Sequence, residues 1–568
     1  MLHQTSATVR ISCLVAVGLF LISACGGGAA DTVNPASVDT TSGSSGSGSS
    51  GSGGSGGSGS APTPTVRTDV VTYKNDVART GQNLTESVLT LTNVTAASFG
   101  LLRTLPVDGK VDAQPLYLAQ LSISGTAHNV VYVATEADSV YAFDSDTGAV
   151  LWHVSVLPSG ETLSDTHGCS QVTPAIGITS TPVIDRSAGP NGAIYVVAMS
   201  KDSRSAYHQR LHALDVTTGA ELFGGPVSIT ATYTSSSPSS AGASFSPGQY
   251  EERAALLLSQ GVVYTSWTSH CDEAPYSGWI MGYNETTLAQ TSVLGIGPNS
   301  NAGPAIWMAG GGPGADASGN IYLLTGNGTF ETTLDSNGFP DRADYGNSFL
   351  KLSATTSSLT ISDYFAMWNE VAESNADQDL GSGGELILPD LTDSTNTVRH
   401  LVVGAGKDGN IYVVNRDNMG KYNSTGNSIW QQLSGVMNGV WSTPAYYNST
   451  VYYGDNNGTL KAFPITNAML AATPASQSST EFPYPGTAPA VSANGTANGI
   501  VWTHENNSSK AVLHAYDASN LAHELYNSSQ AANNRDQFGP GNKFITPTIA
   551  DGKVFVGTQN SVAVFGLL

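Results

Sequence analysis

Charge is scarce in this sequence. Only 12% of its 568 residues are Asp, Glu, Lys or Arg, and Lys plus Arg number 22 against 44 Asp plus Glu, a net charge of −22. That balance excludes a nucleic-acid or anionic-membrane surface, so no nucleic-acid partner is expected. Cysteine is equally sparse: there are 4. No Cys-x-x-Cys-His occurs, so the chain is expected to carry no c-type haem. Outside the Gly/Ser-rich stretch no Gly-x-Ser-x-Gly elbow is present, and neither His-Glu-x-x-His nor a Walker loop occurs. His270, His504 and His514 lack the local spacing of a zinc site. Apolar runs are short as well. Ile11 to Ala24 is too brief to span a bilayer, and hardly any segment repeats its apolar residues with a helical period.

What is present begins with that N-terminal run. It ends Leu21-Ile22-Ser23-Ala24-Cys25 and resembles a bacterial lipoprotein signal, with small residues ahead of a cysteine that would become lipidated. Residues 1–24 are thus expected to be a signal peptide and Cys25 a lipid anchor. Gly26 resembles the residue found there in outer-membrane lipoproteins, facing periplasm or cell surface. Residues 25–64 are mostly Gly, Ser, Thr and Ala with almost no large apolar side chain and cannot bury enough surface to fold. They read as a tether with a reach of roughly 35 Å, leaving 65–568 as one folded unit. Cys13 falls in the signal. An oxidising compartment permits the remaining Cys169 and Cys271 to pair, although two unpaired loop thiols fit the spacing equally.

The folded part is rich in a strand–turn–strand pattern. Val130 to Val133 leads into Ala142-Phe143-Asp144-Ser145-Asp146-Thr147-Gly148 and then Trp152. Ala213-Leu214-Asp215-Val216-Thr217-Thr218-Gly219, closed by Phe223, repeats the second half. Asp and Gly build the turn, Gly taking positive φ without a steric cost, and the closing aromatic is expected to pack on the next unit. Inner-strand openings recur at Gln114-Pro115, Thr181-Pro182, Ala254-Ala255, Ala305-Ile306, Leu386-Ile387, Thr443-Pro444, Ala488-Pro489 and Thr546-Pro547. They lie about 62 residues apart on average, longer than the blades of the commonest repeat propellers.

These residues resemble the pyrroloquinoline-quinone (PQQ) repeat family of β-propellers, which includes the quinoprotein alcohol dehydrogenases and non-catalytic assembly lipoproteins. The resemblance implies an all-β, eight-bladed propeller of four-stranded antiparallel blades. The last unit stops at Leu568 without an outer strand, and Leu101 to Val107 is expected to supply it beside Val562 to Phe565, closing the ring. A pair of β-sandwiches does not explain the long, even repeat.

The resemblance also reaches particular positions. Trp307, in Ala305-Ile306-Trp307-Met308, is similar to the residue that floors PQQ. Asn327, in Thr325-Gly326-Asn327-Gly328, is similar to a ligand of Ca²⁺ or a lanthanide through its amide oxygen. In Asp377-Gln378-Asp379 the resemblance implies a catalytic base at Asp377 and a metal ligand at Asp379. Lys407, in Gly406-Lys407-Asp408-Gly409-Asn410, is similar to the lysine that contacts the quinone oxygens and stabilises charge during reaction. Trp441 keeps a Trp-x-x-Pro pattern of a later blade.

Departures are equally plain. Adjacent cysteines are missing, with only Cys169 in His167-Gly168-Cys169-Ser170. The family's metal-binding Glu has no clear counterpart; Asp272 or Glu273, in about the right unit, is the expected substitute. Ala376 and Val440 stand where the family has Trp and Asn. Two functions therefore remain open: a PQQ- and metal-dependent oxidoreductase of alcohol or sugar hydroxyls with a separate electron acceptor, or a tethered propeller that binds protein or polysaccharide at the cell envelope.

Overall fold

Asp144 shows how the repeat builds itself. In the computed structural model, which describes residues 68–234, 242–299, 303–506 and 509–568, its Oδ1 accepts from the Asp146 and Thr147 amides at 3.1 and 2.7 Å and from the Thr147 hydroxyl at 2.8 Å. Gly148 follows at φ +79°, and the chain turns back as the strand Val150–Ser155. Asp215 organises the second copy the same way, through Thr217 and through Gly219 at φ +72°. The aromatic closing the first copy locks the two together. Trp152 Nε1 donates to the Val216 carbonyl at 2.9 Å, and a Cβ on Gly219 would lie 2.7 Å from its ring. Tyr132, Tyr195 and Tyr452 join neighbouring repeats similarly, each hydroxyl reaching a main-chain carbonyl of the next unit at 2.8 to 2.9 Å.

Eight antiparallel sheets form an eight-bladed propeller. Their innermost strands are Leu116–Ile123, Val183–Asp185, Leu257–Ser259, Gly314–Ala315, Leu386–Ile387, Ala445–Tyr447, Ala490–Asn494 and Thr548–Ala550. Seven of them start within three residues of the openings read from sequence. The fourth does not: Ala305-Ile306 leads into a short 3-10 turn, Met308–Gly310, and the inner strand begins at Gly314. The glycines between them allow this delay, since a Cβ on Gly311 would strike the Thr443 hydroxyl.

The last blade is completed by the strand Phe99–Pro106, which pairs antiparallel with Ser561–Leu567, Leu101 opposite Phe565 and Leu105 opposite Val562. Phe99 anchors the closure, fully buried against Trp502, Tyr526 and Phe565. Closing the ring removes both free sheet edges.

Residues 70–83 close one end of the central channel by bonding in turn to all eight blades. Val70 pairs with Tyr117, and the Ile184, Ala315, Ile387, Tyr446 and Val491 amides donate to the carbonyls of Val71, Val77, Ala78, Thr80 and Gly81. Arg79 reaches the Leu256 carbonyl and Asn83 the Ile549 carbonyl. Two buried basic side chains hold this plug from within. Lys74 Nζ donates to the Thr443, Pro444 and Pro489 carbonyls, and Arg79 to the Tyr73 and Gly312 carbonyls. Residues 1–67, and with them the signal, Cys25 and the whole tether, lie outside the described residues.

Candidate functional site

Three backbone segments meet at the open rim of the fourth and fifth blades. One is the turn after Ile321–Leu324, one follows the short helix Glu370–Asn375, and one is the hairpin between Leu401–Ala405 and Ile411–Asn415. Glycine lets them touch: a Cβ on Gly406 would lie 2.2 Å from the Asp379 carbonyl, and one on Gly381 2.5 Å from the Gly326 nitrogen. The Lys407 amide bonds the Asp379 carbonyl at 2.8 Å.

This approach brings together four of the residues singled out in the sequence. Lys407 Nζ lies 2.8 Å from Asp377 Oδ1 and 2.5 Å from Asp379 Oδ2. The Asn327 main-chain amide donates to Asp379 Oδ1 at 2.6 Å, and its side-chain Nδ2 to Asp377 Oδ1 at 2.9 Å. Asp379 is fully buried, whereas the Asp377 side chain is 42% exposed and reaches solvent. Burial alone would lower the Lys407 ammonium, but Asp379 and Asp377 outweigh it and hold it above its ordinary value. Burial pushes the Asp379 carboxyl up, and Lys407 offsets part of that.

Behind the cluster stands a buried support not evident in the sequence. Asn347 Oδ1 accepts the Leu380 amide at 2.9 Å while its Nδ2 donates to Ser374 Oγ at 3.1 Å, fixing both ends of the Asp377 loop. Ser374 also bonds Glu370 at 2.6 Å and the Gly328 amide at 3.3 Å. Asp377 itself sits at φ +59°.

Beside this cluster lies an aromatic group. Trp307, Ala309 and Phe544 are buried together with Trp441 against them. Phe544 meets Trp307 edge-on at 5.0 Å, and Trp441 meets Tyr484 at 5.5 Å. The Trp441 ring covers Gly439, whose Cβ position is 3.3 Å from the Lys407 carbonyl, so the aromatic and charged groups adjoin.

Basic side chains complete the ring. Arg253 lies over Phe544 at 5.9 Å and Lys543 over Tyr484 at 5.2 Å. Lys110 pairs with Asp112 at 2.9 Å. Burial raises the Asp112 carboxyl, but Lys110 and Arg253 outweigh it and hold it at about 2. Burial lowers the Lys543 ammonium, and Lys110 lowers it further. Four of the chain's 22 basic residues thus surround the mouth of a strongly acidic protein. Arg253, Lys543, Phe544 and Asp112 escape a reading by family motif. A positional signal exists, because Asp112, Arg253, Trp441 and Phe544 each stand three residues before an inner-strand opening, at Pro115, Leu256, Pro444 and Pro547.

Asp272 occupies the corresponding turn of the third blade, where the Tyr276 hydroxyl donates to it at 3.4 Å. The adjacent Cys271 is disulfide-bonded to Cys169, with Cα atoms 5.7 Å apart.

The residues fit a planar polyanion and do not fit a metal. Arg253 Nη2 and Trp441 Nε1 are buried without a hydrogen-bond partner, beside aromatic faces and three further cations, and unmet buried donors of this kind suit carboxylates. A hard cation needs 6–8 oxygens at about 2.3–2.6 Å. Here the amide nitrogen of Asn327, not the oxygen expected from sequence, faces Asp377, and an ammonium lies against both carboxylates. Among the described residues no three His, Cys, Asp or Glu side chains converge to hold a metal ion.

With this geometry in view, the family model described as outer membrane protein assembly factor BamB matches residues 110–243, which contain both turn repeats. No curated protein sequence matches. Among solved structures, the quinohemoprotein alcohol dehydrogenase from Comamonas testosteroni superposes with a TM-score of 0.56 at 15% identity, covering 88% of this chain and 80% of that one. The quinohemoprotein alcohol dehydrogenase ADHIIG from Pseudomonas putida HK5 gives 0.56 at 14%, with the same coverage. A europium-containing methanol dehydrogenase gives 0.56 at 13%, covering 88% of this chain and 98% of that one. These structures share the propeller fold, and the family match extends over residues 110–243.

Proposed function

We propose that the open mouth of the propeller binds a PQQ-type tricarboxylate quinone and that the protein oxidises alcohol or sugar hydroxyls there. One observation carries this reading. Asn327, Asp377, Asp379 and Lys407, spread over 81 positions of the chain, form one hydrogen-bonded cluster beside Trp307 and Trp441.

PQQ, when bound, supplies the electron-accepting carbonyl. Trp307, Phe544 and Trp441 offer apolar faces to a planar ring, and Arg253, Lys110 and Lys543 offer charge to carboxylates. Asp377, exposed at the rim, is the base that takes the hydroxyl proton. Lys407 holds Asp377 in place and stabilises negative charge that develops near its ammonium. The plug of residues 70–83 shuts the far end of the channel, so ligand and substrate enter from the Asp377 side. Electrons then leave to a separate acceptor.

Attachment to the outer membrane through lipidated Cys25 belongs to the same proposal, and Cys25→Ser is expected to move the protein to the soluble fraction. A second reading, a non-catalytic envelope scaffold that binds protein or polysaccharide, draws support from the ion-paired state of Lys407 and from the family match over 110–243. The two readings separate on PQQ titration of the purified protein followed by dye-linked alcohol oxidation. Saturable binding with turnover supports the enzyme; binding of neither quinone nor substrate leaves the scaffold.

A further inference from the structure

We propose that the ammonium of Lys407 is a built-in replacement for a metal ion, so that this mouth takes its anionic ligand without Ca²⁺ or a lanthanide. The inference about the ligand rests on the function proposed above; the inference about the metal rests on the chain alone.

The oxygen atoms that a cation would need are already engaged. Asp379 Oδ1 accepts the Asn327 amide at 2.6 Å and its Oδ2 lies 2.5 Å from Lys407 Nζ. Asp377 Oδ1 is shared between Lys407 at 2.8 Å and Asn327 Nδ2 at 2.9 Å. Ligation by the Asn327 oxygen would require the amide to turn over, setting like charges of oxygen against Asp377. The ammonium has little freedom to withdraw. Its side chain is 8% exposed and its own main-chain amide is tied to the Asp379 carbonyl. A divalent ion entering beside it would have to displace the ammonium from the two carboxylates it already pairs with.

The ring supplies the attraction that a metal would otherwise add. Arg253, Lys110 and Lys543 stand with Lys407 around the mouth, and Arg253 Nη2 and Trp441 Nε1 await acceptors. A planar polycarboxylate answers all of these groups at once. Arg253 and Lys543, each set over an aromatic ring, give such an anion a local attraction in a protein of net charge −22.

Terbium luminescence sensitised by Trp307 and Trp441 tests the metal claim on the full-length protein with no quinone present. Wild type and Asp379→Asn are expected to give the same weak, non-saturating signal. Lys407→Met, which removes the ammonium from both carboxylates, is expected to gain a saturable site at least tenfold tighter, lost again in Lys407→Met/Asp379→Asn. Circular dichroism checks that each variant is folded, and the wild-type titration needs no variant. Stoichiometric terbium or Ca²⁺ binding by wild type that Asp379→Asn abolishes would overturn the inference, as would a folded Lys407→Met without any gain. In parallel, wild type is titrated with PQQ in EDTA and in Ca²⁺. Equal affinity in the two buffers supports a metal-free site, and binding only with Ca²⁺ overturns it. Binding in neither removes the proposed function, while the terbium result still decides whether Lys407 stands in the metal's place.

Discussion

Lys407 Nζ lies 2.5 Å from Asp379 Oδ2, and the carboxylate is fully buried. A buried carboxylate of this kind is costly unless paired, and here its partner comes from the next blade, 28 positions along the chain. The pair joins the fourth and fifth blades at the rim and leaves the neighbouring Asp377 facing solvent. Structure and proposed chemistry meet at this point.

Asp377→Asn keeps the shape of the side chain and its contact with Lys407 but removes the base. Quinone affinity is expected to change little, while turnover falls about 10²–10⁴-fold. Equilibrium dialysis and a dye-linked assay measure the two separately. Retained turnover would place the base elsewhere.

Lys74→Met tests the plug. Lys74 is fully buried, and its three acceptors are carbonyls of the sixth and seventh blades. Removing the donor leaves those carbonyls in an apolar setting, at an expected cost of about 1–3 kcal/mol. Denaturant unfolding measures it, and a loss below about 1 kcal/mol would show that the plug does not depend on this side chain.

Glu370 makes stability depend on pH. Burial pushes its carboxyl from 4.5 up to about 8, with Ser374 drawing it slightly back. Below about pH 4.5 the group is protonated in folded and unfolded chains alike, and its contribution is fully present. As pH rises through about 8 that contribution is lost, by up to about 1.4 kcal/mol per pH unit. Glu370→Gln removes the titration. Its stability is expected to match wild type near pH 5 and exceed it by a few kcal/mol at pH 9, read from melts across that range. A difference independent of pH would contradict this.

Much of the architecture was legible because it is written in local chemistry. The Asp144 and Asp215 turns, the Pro-marked openings and the pairing of Leu101 with Phe565 all follow from short-range patterns. The fourth opening was misplaced because Ala305-Ile306 looks like an inner strand, while the glycines after Met308 permit a turn first. At the site, family resemblance singled out Asn327, Asp377, Asp379 and Lys407, but not which atom of Asn327 faces inward. That choice depends on a carboxylate 50 positions away. The basic ring was hidden for a similar reason. Lys110, Arg253 and Lys543 belong to separate blades, and only closure of the propeller brings them together. Asn347 gave no motif at all, since its work is to hold main-chain groups of a distant loop.

The central claim is that the mouth bounded by Trp307, Lys407 and Trp441 binds a tricarboxylate quinone. Tryptophan quenching of the purified wild-type protein by PQQ, with equilibrium dialysis for stoichiometry, tests it most directly. The expected result is one quinone per chain at micromolar concentration, weakened at least tenfold in Lys407→Ala and in Arg253→Ala. An absence of saturable binding in EDTA, Ca²⁺ and La³⁺ alike would contradict it.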